Sequence, residues 1–260
     1  MAKLDWHSAR GTFPQLRLVD RRPDAGADGV DLAAVRAYRL SRLRDEMRRR
    51  DIAACFLFDA VNIRYATGAR NMQVFSSRNP ARYLFLPADG PVILYEFTGC
   101  MHLARNLETI DDVRPAITAS FVAAGPGIEA REKAWATQAD SLLREYCPGA
   151  GKVGIERINA GAAASLAAHG WRLVDAQEPV ERARANKNAA EIECVRASLR
   201  ATERAVGALR AAIRPGVTEN ELWSVMHQGI IAQGGDYVET RLLSSGPRTN
   251  PWFQESGDRV

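Results

Sequence analysis

Ile213-Arg-Pro-Gly-Val-Thr-Glu-Asn-Glu-Leu222 joins two helical patterns, and its reading decides the fold of the second half of the chain. Pro215-Gly216 ends the first pattern, because proline cannot extend the helical ladder and glycine accepts the left-handed turn that closes it. Thr218-Glu-Asn-Glu221 opens the second as a capping box, Thr218 serving as cap and Glu221 reaching back. Upstream, Ile192, Val195, Leu199, Thr202, Val206, Leu209 and Ile213 recur at steps of three and four. They form one apolar stripe that fits core packing or helix pairing. Asn188-Ala-Ala-Glu191 resembles a capping box at the start of that helix. Leu222, Val225, Met226 and Ile230 give the second helix its buried face, and Gly234-Gly235 stop it.

Past those glycines, Tyr237 to Leu243 reads as a strand, and Ser244-Ser-Gly-Pro247 as dense turn chemistry. Asn250-Pro251 makes a second turn and puts Trp252 and Phe253 on a loop. Two large aromatics are costly to leave in water, so either a neighbouring core covers them or they line a substrate pocket. Ser256-Gly-Asp-Arg-Val260 reads as a turn leading into a strand. The expectation is therefore the front part of a larger enzyme, with its chemistry past Val260.

Working back towards the N-terminus, the pattern changes. Glu178 to Lys187 is charged and reads as a connector. Before it come short strands at Val153–Glu156 and Trp171–Asp175, with a small-residue helix from Ala160 to Ala168 between them. Ile128, Trp135 and Leu142 recur at sevens, which predicts a helix from Glu129 to Tyr146. Tyr83–Leu86 and Val92–Glu96 flank Pro87-Ala-Asp-Gly-Pro91, a hairpin signal, and Val113–Ala116 reads as a strand end. Asn62–Gly68 and Asn71–Phe75 read as a loop between short extended pieces. Ala53-Ala-Cys-Phe-Leu-Phe58 is a buried strand, and Asp31 caps a helix whose apolar side is Val35, Tyr38, Leu43 and Met47. This order predicts a mixed-sheet α/β domain over 31–180, a boundary between Glu178 and Asn188, a second domain from 188 to 260, and an extended arm over 1–30.

Composition narrows the class. The 260 residues are 46% hydrophobic and 25% charged, ordinary for a soluble protein of one or two domains. Basic residues number 35 against 31 acidic, and Lys3, Lys133, Lys152 and Lys187 are the only lysines. Arg42, Arg44, Arg48, Arg49 and Arg50 cluster on the first helix, where a solvated face is the plain reading; no nucleic-acid motif accompanies them. Cys55, Cys100, Cys147 and Cys194 are widely spaced and suggest neither a zinc site nor a disulfide framework. No run approaches the roughly 18 apolar residues of a membrane span. A reducing cytoplasm is expected.

A search for catalytic groups finds little. His7, His102, His169 and His227 lie in separate elements, without metal-ligand spacing. Ser244 and Ser245 lack a Gly-x-Ser-x-Gly elbow, and Gly125-Pro-Gly127 is not a phosphate loop. Glu219 and Glu221 are explained by capping and the helix dipole. No residue of the chain is therefore assigned as catalytic or as a metal ligand.

Lys187-x-x-x-Glu191-Ile192, the run from Ile213 to Leu222, the paired glycines and Ser245-Gly246 together resemble the opening of the pita-bread metallohydrolase domain of the creatinase, prolidase and aminopeptidase P family. Asn62-Ile-Arg-Tyr-Ala-Thr-Gly68 resembles an Asn-x-x-Tyr-x-Thr-Gly segment of that family's N-terminal domain. The resemblance covers roughly residues 33–260. It implies a creatinase-like N-terminal mixed-sheet domain followed by the truncated start of an α+β catalytic domain. It further implies a dinuclear divalent metal site (Mn, Fe, Co or Zn) in the full-length enzyme, whose ligands all fall after the position of Val260. A homodimer acting on a small-molecule or short peptide substrate, with no nucleic acid or membrane partner, is the implied assembly.

One departure matters. Peptidases of this family carry Pro-His shortly after Ser-Gly, whereas this chain has Pro251-Trp252. An apolar wall there suits a small, cationic, non-peptide ligand. The Ser244–Trp252 run and Asn71–Phe75 with Arg78-Asn-Pro80 resemble the branch that contains dimethylsulfoniopropionate lyases. Trp252, Phe253, Asn250 and Tyr65 are the candidate substrate-binding residues. The alternative is a non-catalytic binding or dimerisation module that keeps the fold without the metal site.

Overall fold

The computed structural model describes residues 29–149, 151–236, 238 and 240–260. The expected arm thus lies, over residues 1–28, outside the described residues. Asp31–Ala190 form one unit, and Glu191–Val260 belong to a second.

The first unit runs α1 (Leu32–Arg48), β1 (Ile52–Leu57), α2 (Ala60–Thr67), α3 (Gln73–Arg78), β2 (Tyr83–Pro87), β3 (Ile93–Glu96), β4 (Asp112–Pro115), α4 (Phe121–Ala124), α5 (Ile128–Tyr146), β5 (Lys152–Ile155), α6 (Ala160–Ala167), β6 (Arg172–Asp175) and α7 (Gln177–Ala185). The six strands form one mixed sheet in the order β4-β3-β2-β1-β5-β6. β1 pairs antiparallel with β2 and parallel with β5.

Period-two alternation along the central strands decides what each face buries. From β1 and β2, Cys55, Leu57, Leu84 and Leu86 enter a core with Leu43, Met47, Ile63 and Val180 of α1, α2 and α7. Ala54, Phe56, Tyr83 and Phe85 enter the other core, with Trp135, Leu142 and Leu143 of α5 and Leu166 of α6. Trp135 packs edge-on to Phe56, with ring centroids 5.5 Å apart. Both faces are covered, as a partly parallel sheet requires. The hairpin of β2 and β3 forms as the sequence predicts, with Tyr83 opposite Tyr95. Asp31 caps α1 by accepting the Ala34 amide at 3.0 Å.

Two expectations for this unit are corrected. The segments at 62–68 and 71–75, expected as extended pieces around a loop, fall largely in α2 and α3. Asp59 caps α2 through the amides of Val61 and Asn62, and Gly68 closes it at φ 84°. The charged stretch expected as a connector is α7, which buries Pro179, Val180 and Ala183 on one side and leaves its charges outside.

The second unit contains α8 (Ala189–Ala212), which begins just before it, and α9 (Glu219–Ala232). The capping box of α9 is formed: Thr218 Oγ1 accepts the Glu221 amide at 3.2 Å, and Glu221 Oε2 accepts the Thr218 amide at 2.7 Å. The strand expected at 237–243 is, among the described residues, a single bridge pairing Leu242 with Glu255. Tyr237 and Glu239 lie outside the description.

Candidate functional site

The loop that carries Trp252 and Phe253 is organised by one carboxylate. Glu219, in the first turn of α9, is 3% exposed. Its Oε1 accepts the Ser245 amide and the Ser245 hydroxyl, both at 2.7 Å. Its Oε2 accepts Arg248 NH1 at 2.6 Å and the Gly257 amide at 3.0 Å. The Ser245 hydroxyl, then the Ser245 and Gly257 amides and the Arg248 charge, outweigh burial and hold this carboxyl at about 2. A carboxylate so acidic is a strut, not a proton acceptor.

Arg248 extends the strut. Its Nε donates to Gln254 Oε1 at 2.8 Å and its NH2 to the Glu255 carbonyl at 2.6 Å. The end of the chain is tied to the same helix turn. Glu219 N donates to the Arg259 carbonyl at 2.9 Å, and Asn220 N to the Gly257 carbonyl at 3.0 Å. Asn220 Nδ2 donates to Asp258 Oδ1 at 2.8 Å, and Ser256 Oγ to Asn220 Oδ1 at 2.9 Å.

Between these anchors the aromatic pair projects outward. Trp252 is 63% exposed and Phe253 68%. Their rings stack on each other with centroids 3.7 Å apart and planes 23° from parallel. Phe253 has φ 78°, a region that bulky residues occupy only when neighbouring interactions impose it. The Arg248 contacts to Gln254 and Glu255, the next two residues, supply that constraint. Asn250 is exposed on the same segment. The arrangement offers an exposed π-surface of a kind that a cationic or apolar group can pack against.

Tyr65, the fourth candidate, belongs to the first unit. It is 8% exposed, and its hydroxyl donates to the Ala183 carbonyl at 3.0 Å. The segment around it is similarly engaged. Asn62 donates to Glu156 Oε1 at 2.5 Å and accepts from Arg184 at 3.0 Å. Thr67 donates to the Ile63 carbonyl at 2.7 Å. Glu156 also takes the amides of Phe58 and Asp59, while burial pushes its carboxyl up from the ordinary value. In this unit the Asn-x-x-Tyr-x-Thr-Gly run locks α2 to the ends of β1 and β5 and to α7.

Glu219 and Arg248 were missed as site-forming residues. A signal was available: a capping box requires only the acid at its third position, Glu221, and leaves Glu219 with the helix dipole alone to account for it. Among the described residues no three His, Cys, Asp or Glu side chains cluster closely enough to hold a metal ion. The resemblance puts the ligands of its dinuclear centre after the position of Val260, so these residues are not the ones it would have hold the metals. No described helix is long and apolar enough to cross a membrane.

Comparison with known proteins agrees with this architecture. Dimethylsulfoniopropionate lyase DddP of Roseobacter denitrificans is 33% identical over 265 residues, covering 100% of this chain and 56% of the lyase. Among solved structures, dipeptidase PepE of Mycobacterium ulcerans aligns with a TM-score of 0.60 at 22% identity, over 89% of this chain and 58% of its own. The X-Pro aminopeptidase of Thermotoga maritima aligns with a TM-score of 0.64 at 16% identity, over 85% of this chain and 57% of its own. At these identities the structural likeness shows the fold alone. The chain spans somewhat more than half the length of the relatives it matches. Residues 39–186 match the creatinase/prolidase N-terminal domain model, and the chain belongs to that family.

Proposed function

We propose that this chain is the N-terminal portion of a metal-dependent enzyme of the creatinase and prolidase kind. In this reading residues 31–180 are its N-terminal domain, and residues 188–260 begin its catalytic domain. The enzyme acts on a small sulfonium zwitterion of the dimethylsulfoniopropionate type, whose cationic end would meet the aromatic pair. The observation that carries the reading is the stacked Trp252–Phe253 pair, exposed on a segment that Glu219 and Arg248 hold rigid. A sulfonium is large, weakly hydrated and positive, so it gains from an aromatic face about 1–2 kcal/mol when desolvated. The similarity to a lyase of that substrate supports the same choice. Bound divalent metals would supply Lewis acidity and an activated oxygen ligand to the whole enzyme. The described residues contribute binding and orientation: Trp252 and Phe253 as the wall, Asn250 as a polar neighbour. A cytoplasmic homodimer is the proposed working form.

The test is to express the complete open reading frame that contains this chain, with divalent metal supplied. Dimethyl sulfide release from dimethylsulfoniopropionate and hydrolysis of Xaa-Pro dipeptides are then assayed in parallel. Sulfide release that falls on replacing Trp252 supports the reading. Dipeptide hydrolysis alone overturns the substrate class. Inactivity on both, from a frame that encodes no further Asp, His and Glu ligand set, overturns the enzyme and leaves a binding or dimerisation module.

A further inference from the structure

The C-terminal half of α1 and the length of α7 leave between them an open cleft of about 720 Å³, lined by Arg42, Glu46, Arg49, Arg50, Glu178 and Arg182. Four guanidinium groups thus face two carboxylates. Glu46, 5% exposed, takes Arg49 at 2.5 Å and Arg50 at 2.6 Å, with Arg42 at 3.7 Å. Glu178 has Arg50 at 3.2 Å and Arg182 at 3.9 Å. Lys152 adds a cation behind Arg50, its Nζ donating to the Arg50 carbonyl at 2.7 Å. Even with every carboxylate ionised, the cleft keeps uncompensated positive charge. In addition, Arg42 Nε is buried with no hydrogen-bond partner among the described residues. A buried donor without an acceptor is unfavourable, so this guanidinium is not fully satisfied by Glu46.

We propose that this cleft binds a small anion carrying two linked phosphate groups, held by Arg42, Arg49 and Arg182. Guanidinium forks match phosphate oxygens two at a time, which a point charge such as lysine does not. The volume lies in the range of small-molecule pockets. The charge is local and does not form a track. Arg44 turns to the carbonyls of Pro87 and Gly90, and Arg48 to the Ala88 carbonyl and the Asp89 carboxylate. A nucleic-acid backbone needs a continuous row of cations, and these two face residues 87–90 and not the cleft. The negative end of the α1 dipole opposes an anion here, but it amounts to about half a charge, and the guanidiniums outweigh it.

Calorimetric titration of the whole chain with sodium pyrophosphate, at low and at physiological salt, tests the proposal. One saturable site is expected, persisting at physiological salt. Arg42→Ala and Arg182→Ala should each weaken it roughly ten-fold, the loss of one charge-assisted contact. Arg105→Ala, an exposed arginine outside the cleft, should leave it unchanged. Arg182 is itself largely exposed, so its variant keeps the fold even where Arg42→Ala does not. Absence of saturable binding overturns the proposal. So does equal weakening in Arg105→Ala, or equally tight binding of sulfate. Tighter binding of a single-stranded oligonucleotide, lost in the same two variants, would replace it with a nucleic-acid cleft.

Discussion

Glu219 and Ser245 are joined twice: one carboxylate oxygen accepts both the amide and the hydroxyl of Ser245, each at 2.7 Å. The Glu219 carboxyl is held at about 2, below its ordinary value of 4.5, so the folded state favours its ionised form. Stability from this group is complete above the ordinary value and is lost as pH falls through about 2. Protection factors at the Ser245 and Gly257 amides should hold until that window and then fall together. At neutral pH, Glu219→Gln should accelerate both amides while leaving the β1 amides protected. Exchange unchanged in the variant would remove Glu219 as the strut.

Trp252→Ala should leave the melting temperature within about 2 °C of the parent, because the ring is mostly exposed and no core cavity opens. In the whole enzyme the same change should raise the Michaelis constant roughly ten-fold. A large melting loss would instead place the indole in a core.

Phe253→Gly separates strain from contact. Glycine adopts φ 78° freely, so removing the strained phenylalanine should offset its own entropic cost and shift stability by less than about 1 kcal/mol. Substrate affinity should still fall, since half of the stacked pair is gone. Thermal melts read beside binding isotherms decide it; a strongly destabilised variant would show that Phe253 supports the loop.

Arg82 and Glu96 form a buried pair at 2.9 Å in the first unit, and Asn71 Nδ2 and the Phe97 amide also donate to Glu96. Removing one member strands the other charge, so Glu96→Ala should cost about 3–5 kcal/mol in urea unfolding. Arg82→Met combined with Glu96→Leu should cost less than the single change. A single variant within about 1 kcal/mol of the parent would contradict this.

Gly68 ends α2 at φ 84°, and a methyl group there would strike the Arg36 side chain, which pairs with Glu108 at 2.6 Å. Gly68→Ala should therefore destabilise by about 1–2 kcal/mol, through backbone strain and displacement of Arg36. Gly216, also at positive φ but with open space around it, should lose less on the same substitution. Chemical denaturation of both variants gives the comparison.

Much of the fold was legible because strong local signals agreed with tertiary packing. Pro87 to Pro91 marked the hairpin, and Thr218 with Glu221 marked the start of α9. The helices α2 and α3 were not legible. Asn62 and Tyr65 put polar atoms inward, towards partners that only the assembled unit supplies, and Thr67 turns its hydroxyl back onto the Ile63 carbonyl. In α7 the charges of Glu178, Glu181, Arg182 and Arg184 masked three small buried residues at helical spacing. At the candidate site, the aromatics were evident as loop residues. Their mutual stacking was not, since it depends on a backbone angle at Phe253 that phenylalanine does not favour. Nor was the bond between Glu219 and Ser245, which are 26 positions apart.

The central strand β1 has its two neighbours from very different places in the chain: β2 begins at Tyr83 and β5 at Lys152. During translation, β1, β2 and β3 leave the ribosome together and can pair at once. The other edge of β1 must wait for the whole of α5 and for β5 behind it. Until then the nascent protein carries an apolar strand with a row of unpaired backbone donors and acceptors. A chaperone that shields extended apolar segments would find its substrate at Ile52–Leu57, and slowing elongation between Trp135 and Lys152 would lengthen the interval in which the growing chain is prone to aggregate.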